Sequence, residues 1–218
     1  MSLLETSLTG GLFLVSALML YLGWLLLPVK IGKFFVQTDF AAVFSCRRKW
    51  IWLYRIYLFG YVAAVMAFVA LASLVTEPAA RIIVWPAVTV LAAGLVMTAL
   101  AYAFYYHFGA WGASEMHGKS LEDVEKYIAS LRVSTEYVTC WVRFGRIFIG
   151  VGQLVFAVGL LLQAGPWPTW LLVSGGVLGL AGIALTLEWP DSLEYYNPLF
   201  YLDVLWLAIL GVALITIS

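Results

Sequence analysis

An unbroken apolar run occupies residues 91–103, which read LAAGLVMTALAYA. The run shows apolar side chains on every face of a helix, without the alternation that marks a strand of a transmembrane barrel. It lies inside a longer apolar segment, 82–106. A helix needs roughly 20 apolar residues to cross about 30 Å of hydrocarbon. The segment is therefore predicted to be a transmembrane helix.

Composition extends this prediction to the whole chain of 218 residues, of which 64% are hydrophobic and 11% charged. Mean hydropathy is +0.98. Soluble domains carry about 25% charged residues, so a water-soluble globule, a disordered chain and a disulfide-rich module are excluded. Six segments have the length of a membrane span, at about 11–28, 51–75, 82–106, 147–164, 169–187 and 199–217. We expect an all-α, polytopic bundle of six transmembrane helices that forms one domain over residues 1–218.

Basic residues predict how this bundle is oriented, because loops rich in Lys and Arg remain in the cytoplasm. All but Arg81 lie around the first-to-second and third-to-fourth connections, at Lys30, Lys33, Arg47, Arg48, Lys49, Arg55, Lys119, Lys126, Arg132, Arg143 and Arg146. We expect that side to be cytoplasmic. Both termini then lie on the non-cytoplasmic side of the plasma (inner) membrane.

A short amphipathic helix is predicted at about 120–132, on the cytoplasmic side. Ser120 and Asp123 have the spacing of a capping box. From Leu121 to Leu131, apolar residues then recur at helical spacing. Packing against the chain's own bundle is the preferred interpretation, with the membrane surface or a partner helix as alternatives.

Ionisable residues near the membrane gather at its cytoplasmic boundary. They form a candidate binding cluster of Arg55, His107, Arg143, Arg146, Glu188 and Asp203. Asp203 is the most constrained member, because the chain beyond it is too short to span the hydrocarbon unaided. A buried carboxylate needs a partner, so we expect an ion pair with Arg55, Arg143 or Arg146. The cluster is interpreted either as a structural lock between helices or as a polar vestibule open to the cytoplasm.

Small residues predict close helix packing in the fifth span, where Gly175, Gly179 and Gly182 recur. This spacing lets two helix backbones approach each other. The glycines of the fourth span offer a matching surface, so we expect these two spans to pair. Association with another subunit is the alternative.

Catalytic and metal-binding patterns are weak. His107 borders several aromatic residues and is a candidate ligand for a single haem or pigment, but no cofactor is otherwise implied and no metal site is predicted. Glu188, Asp191 and Glu194 are interpreted as a solvated acidic loop rather than a cation site. Together these patterns favour a protein that is not an enzyme.

Three functions follow from these patterns. The first is a non-catalytic accessory subunit or assembly factor of a larger membrane complex. The second is a small-solute channel or transporter with a cytoplasm-facing vestibule, and the third is a membrane-boundary enzyme or pigment-binding protein. The expected partners are the lipid bilayer together with other membrane subunits or a second copy of the chain, and nucleic acid is not among them.

Overall fold

The computed structural model describes residues 3–27, 40–163, 168–191 and 193–216, and this part of the chain is helical without strands. The helices are α1 (Leu3–Leu25), α2 (Phe40–Ser45), α3 (Arg47–Ser73), α4 (Pro78–Met116), α5 (Leu121–Leu161), α6 (Thr169–Glu188) and α7 (Leu193–Thr216). Six of them, all except α2, are long and apolar enough to cross a membrane. The predicted all-α six-helix membrane bundle is therefore confirmed.

These six helices form a closed ring. In the described part of the chain α1 packs on α3 and α7, and the ring continues through α3–α4, α4–α5, α5–α6 and α6–α7. The short helix α2 packs on α3 and α4. We call the end that carries α2 and the α4–α5 turn the basic end, and the end where α1 begins and α7 ends the terminal end.

Helices α4 and α5 extend far beyond the other helices at the basic end. They contain 39 and 41 residues, which at 1.5 Å per residue is about 60 Å, twice the thickness of the hydrocarbon layer. The turn between them uses a positive φ of 75° at Gly118, a conformation that glycine adopts without steric cost. The two helices thus form a hairpin about twice as long as a membrane span requires.

The predicted separate amphipathic helix at 120–132 is wrong in its boundaries, because the segment is the first part of α5. The cap was identified correctly, since Ser120 Oγ accepts a hydrogen bond from the Asp123 backbone N–H at 3.2 Å. No glycine or proline interrupts the chain from Leu121 to Phe144, so the helix continues straight into the membrane. Its apolar residues Val124 and Ile128 pack against the protein's own core.

The starts of two other predicted spans also differ from the structure. Helix α1 begins at Leu3 rather than near residue 11. Helix α7 begins at Leu193 rather than near residue 199, and it contains Pro198 inside it. Residues 28–39, which include Lys30 and Lys33, lie outside the described residues.

Contacts at the basic end join the two basic connections. Arg47 donates from Nε to the Ala110 carbonyl oxygen at 3.0 Å, and its guanidinium lies 5.2 Å from the Trp111 ring centroid. From α2, the ring of Phe40 packs edge-on against Tyr127 of α5, with centroids 5.7 Å apart. The start of α3 and the α4–α5 hairpin are therefore held together at one end of the bundle.

Glycines allow backbone-to-backbone contact at several interfaces of the ring. A Cβ atom added to Gly94 of α4 would lie 2.6 Å from the Gly145 carbonyl oxygen of α5. The same distance separates a Cβ on Gly10 of α1 from the Gly211 carbonyl oxygen of α7. Real Cβ atoms do not approach this closely, so larger residues cannot occupy these positions without moving a helix.

The glycines of α6 divide between two neighbours. A Cβ on Gly179 would lie 2.6 Å from the Gly150 carbonyl oxygen of α5, which is the pairing expected from the sequence. Gly175 instead faces the indole ring of Trp206 on α7, and a Cβ on Gly182 would be in ordinary contact with Leu199 on α7. Of Gly175, Gly179 and Gly182, only Gly179 therefore supports the contact between α5 and α6.

Aromatic rings fill the interior of the ring in its terminal half. Phe68 of α3 meets Phe13 of α1 edge-on at 5.1 Å between centroids and Phe156 of α5 at 5.3 Å. Trp206 of α7 stacks on Phe68 at 6.2 Å. These four residues come from four helices, and we call them the aromatic plug.

Replacing Gly94 by alanine should destabilise the bundle, because the new Cβ would overlap backbone atoms of α5 that cannot move independently. We expect a loss of about 1–3 kcal/mol, the usual cost of overpacking. The matched control is Gly11→Ala on α1, where a Cβ meets nothing within 4 Å; it should be neutral or stabilise by up to about 1 kcal/mol. Thermal unfolding in detergent micelles measures both, and equal shifts would contradict the close packing at Gly94.

Candidate functional site

A cavity of about 50 Å³ lies inside the helix ring, on the basic-end side of the aromatic plug. Its wall is rich in tyrosine from three helices: Tyr57, Tyr61, Tyr102, Tyr105, Tyr196 and Tyr201. We call it the tyrosine cavity. Phenolic hydroxyls can both donate and accept hydrogen bonds, so this wall is chemically polar although it lies within a membrane bundle.

Arg146 of α5 also lines the tyrosine cavity, and only 7% of the residue is exposed. Its guanidinium carbon lies 3.6 Å from the ring centroid of Tyr196, a close cation–π contact. Its Nη1 donates to the Pro190 carbonyl oxygen at 3.1 Å. A buried cation is costly unless it is compensated, and the aromatic face and the carbonyl dipole supply compensation here.

A second cavity of about 60 Å³, the inner cavity, adjoins the first. The two share a wall formed by Tyr61, Ile149, Tyr196 and Phe200. At the terminal end the inner cavity is bounded by Phe68 and Trp206 of the aromatic plug. Polar side chains therefore continue from Arg146 into the middle of the bundle.

Besides the shared Tyr61 and Tyr196, the inner cavity is lined by the polar residues Gln153 and Asp203. Gln153 of α5 is 4% exposed and donates from Nε2 to Asp203 Oδ1 of α7 at 3.1 Å. Asp203 itself is half-buried. The hydrogen bond links two helices that are not neighbours in the ring, so it crosses the interior.

The ion pair expected between Asp203 and an arginine does not form, since the hydrogen-bond partner of Asp203 is the Gln153 amide. Arg143 pairs with Asp191 in the α6–α7 turn. Arg146, one helical turn further along α5, is held by Pro190 in the same turn. The two arginines are thus directed toward the α6–α7 turn, which explains why neither reaches Asp203.

The remaining members of the candidate cluster lie on the outside of the bundle. Arg55 is exposed and donates from Nη2 to the Tyr106 hydroxyl at 2.9 Å. His107 is exposed and stacks on Trp111, with ring centroids 5.8 Å apart. Glu188 is exposed at the end of α6. The structure therefore brings Arg146 and Asp203 to adjacent cavities and leaves Arg55, His107 and Glu188 away from both.

Metal and thiol chemistry find little support in the described part of the chain. No group of three or more His, Cys, Asp or Glu residues is arranged there to hold a metal ion. Cys46 and Cys140 are free thiols. Burial raises the pKa of the Cys46 thiol, which lowers the fraction present as the reactive thiolate.

Sequence reasoning missed the tyrosines that define the cavity. Tyr54, Tyr57 and Tyr61 recur at spacings of three and four, which places them on one face of α3. That pattern was the available signal for a polar interior face. Tyr196 could not be found in the same way, because its partner Arg146 is distant in sequence and meets it only in the folded ring.

Comparisons of the chain with protein-family models, curated proteins and solved structures find no match. Arg146 supplies a guanidinium that prefers anions, and the tyrosines and Gln153 supply neutral hydrogen-bonding groups. The arrangement is suited to binding a small polar or anionic group inside the membrane.

The hydrogen bond between Gln153 and Asp203 should carry a measurable coupling energy. Gln153→Leu or Asp203→Leu alone leaves a polar partner unsatisfied in the interior, at a cost of about 1–3 kcal/mol. The double variant should lose less than the sum of the two. A double-mutant cycle based on unfolding in micelles measures the coupling, which we expect to be about 1 kcal/mol or more.

The control cycle uses Arg132→Ala and Glu136→Ala, an exposed pair at 3.1 Å on α5. Exposed pairs at this helical spacing contribute about 0.3–0.5 kcal/mol. If the Gln153–Asp203 coupling energy does not exceed that of the control pair, the hydrogen bond contributes no more to stability than an exposed ion pair does.

Proposed function

We propose that this protein is a small-solute transporter that binds its solute in the tyrosine cavity and the inner cavity. In this proposal the basic end faces the cytoplasm, the termini lie on the other side, and the protein resides in the plasma (inner) membrane. The observation that carries the proposal is that Arg146 and Asp203 line two adjacent interior cavities and do not pair with each other.

The energetic argument rests on the cost of ionisable groups in a bilayer. A charged side chain costs about 2.5–3.5 kcal/mol at the centre of a spanning helix. Ionisable residues within spanning segments usually face the bundle interior and mark substrate pathways. Asp203 accepts a hydrogen bond from the Gln153 amide, Arg146 contacts a carbonyl oxygen and an aromatic face, and both residues line interior cavities. This arrangement leaves polar chemistry facing a cavity, as solute binding requires.

A transporter is favoured over an open pore because the aromatic plug closes the interior in the terminal half. Phe68 contacts rings from three other helices, and Phe68 and Trp206 bound the inner cavity. A solute that enters from the basic end therefore meets a barrier. Passage requires a second conformation in which the plug separates.

The cavities also limit the size of the solute. Their volumes are about 50 and 60 Å³, and each ordered water needs about 10–15 Å³ of such volume. Each cavity therefore holds a group of only a few non-hydrogen atoms. A compact anionic or hydrogen-bonding group fits both the volume and the donors of the wall.

An accessory subunit of a membrane complex is the second candidate. The observation that favours it is the α4–α5 hairpin, which is longer than a membrane span requires and has apolar side chains exposed. Leu121 is 83% exposed and Val133 is 77% exposed. A partner protein that packs on the hairpin would cover them.

Thiol labelling tests the solute path and its sidedness. In a variant without native cysteines (Cys46→Ser, Cys140→Ser), Thr98→Cys places a thiol in the wall of the tyrosine cavity. We expect an anionic methanethiosulfonate reagent to modify it from the cytoplasmic side, and faster than a cationic one because Arg146 attracts anions. Reaction rates in sealed inside-out and right-side-out vesicles provide the measurement.

The matched control is Ala99→Cys, the next residue of α4, which is similarly buried but is not part of either cavity wall. It should react at least about tenfold more slowly, since the water-filled path is the route for charged reagents. Equal rates for the two variants would overturn the proposed cavity entrance. Reaction of Thr98→Cys from the other side alone would reverse the orientation.

Mass measurement after gentle solubilisation separates the two candidates. A transporter of this size is expected as a monomer or homo-oligomer that retains labelling of Thr98→Cys. An accessory subunit would co-purify with other polypeptides, and Leu121→Glu together with Val133→Glu would release them. A lone monomer argues against the subunit.

A further inference from the structure

An open apolar groove of about 570 Å³ runs along the lipid-facing side of the bundle between α1 and α7. Leu14, Leu18 and Tyr21 line it from α1, and Leu205 and Ala208 line it from α7. Its volume is about ten times that of either interior cavity. A hydrocarbon chain of the surrounding lipid matches its apolar wall.

The spacing between α1 and α7 explains why the groove exists. At the terminal end the two backbones touch, because a Cβ on Gly10 would lie 2.6 Å from the Gly211 carbonyl oxygen. Toward the basic end the helices meet through large side chains instead. There the rings of Trp24 and Tyr201 pack edge to face, with centroids 4.9 Å apart. The interface is therefore closed by backbone at one end and by two movable rings at the other.

The groove and the tyrosine cavity share part of their walls. Trp24, Phe200 and Tyr201 line both of them. The Trp24–Tyr201 pair thus stands between lipid and the cavity that contains Arg146. Rotation of these side chains would join the two spaces, and the glycine contact at the terminal end lies outside their shared wall.

We infer that this interface is a lateral entrance for a single-chain lipid with a carboxylate headgroup, a deduction that rests on the proposed solute-binding role of the tyrosine cavity. The carboxylate binds at Arg146, whose guanidinium is complementary to it in charge and shape. The hydrocarbon chain remains in the groove between α1 and α7. The compact group that the tyrosine cavity holds is then the headgroup of a long-chain carboxylate, which is taken up from the leaflet at the basic end.

Size selects the carboxylate among anionic headgroups. The tyrosine cavity has about 50 Å³, which corresponds to roughly four waters at 10–15 Å³ each. A carboxylate has three non-hydrogen atoms and fits this volume. A phosphate ester has at least five, which reaches the upper limit of this volume before the groups attached to it are counted, so size favours the carboxylate.

Binding of radiolabelled palmitate to the purified protein in detergent micelles tests this inference. Arg146→Gln removes the cation and should weaken binding by about 10- to 100-fold, the range for hydrogen bonds to a charged group. Leu205→Trp fills the groove and should weaken binding by about tenfold or more. The matched control is Leu202→Trp, which lies three residues earlier on α7, is similarly exposed at 52% against 55%, and is outside the groove. It should leave the affinity unchanged.

Each combination of results has a definite meaning when thermal unfolding shows that the variants are folded. If Arg146→Gln weakens binding and Leu205→Trp does not, the carboxylate enters from water and the lateral entrance is overturned. If uncharged methyl palmitate binds as tightly as palmitate, or lysophosphatidate binds more tightly, the carboxylate assignment is overturned. If palmitate binding is absent while Thr98→Cys still reacts faster than Ala99→Cys, this inference fails and the proposed transporter stands.

Discussion

Backbone contact at glycines is the constraint on which the helix ring depends. At Gly94, Gly150 and Gly10 an added Cβ would lie 2.6 Å from a carbonyl oxygen of the adjacent helix. In a bilayer there is little hydrophobic gain from bringing helices together, so association relies on close van der Waals packing. These contacts draw α4 to α5, α5 to α6, and α1 to α7. At these points the helix backbones lie close together, whereas bulky aromatic residues separate the helices elsewhere. The ring closes because the close contacts offset this separation.

The interior of this ring has two chemically different halves. Phe68 and the three rings that contact it form the aromatic plug in the terminal half. Tyrosines and Arg146 occupy the basic half, and Gln153 with Asp203 lie between the two regions. The boundary between the halves is consistent with a solute site that is open toward one side of the membrane and closed toward the other.

Arg143 and Arg146 lie three residues apart on α5 but occupy different environments. Both reach the α6–α7 turn, where Arg143 pairs with Asp191 and Arg146 donates to Pro190. Arg143 remains partly exposed, with 38% of its side chain accessible, so its ion pair contributes little. Arg146 is buried and also faces the tyrosine cavity. The same turn that anchors α7 therefore helps to hold the cation of the candidate site.

Apolar length and composition were sufficient to predict six membrane helices, because the need for about 20 apolar residues per span is a local property of the chain. The cap at Ser120 was also local and was predicted correctly. The continuation of that helix beyond residue 132 and the start of α7 at Leu193 were not, since continuation of a helix depends on what packs beside it. The partner of Asp203 and the interior position of Tyr196 depend on where distant helices meet. Only the tertiary structure could decide them, because a buried polar group takes whichever neighbour the closed ring places within hydrogen-bonding distance.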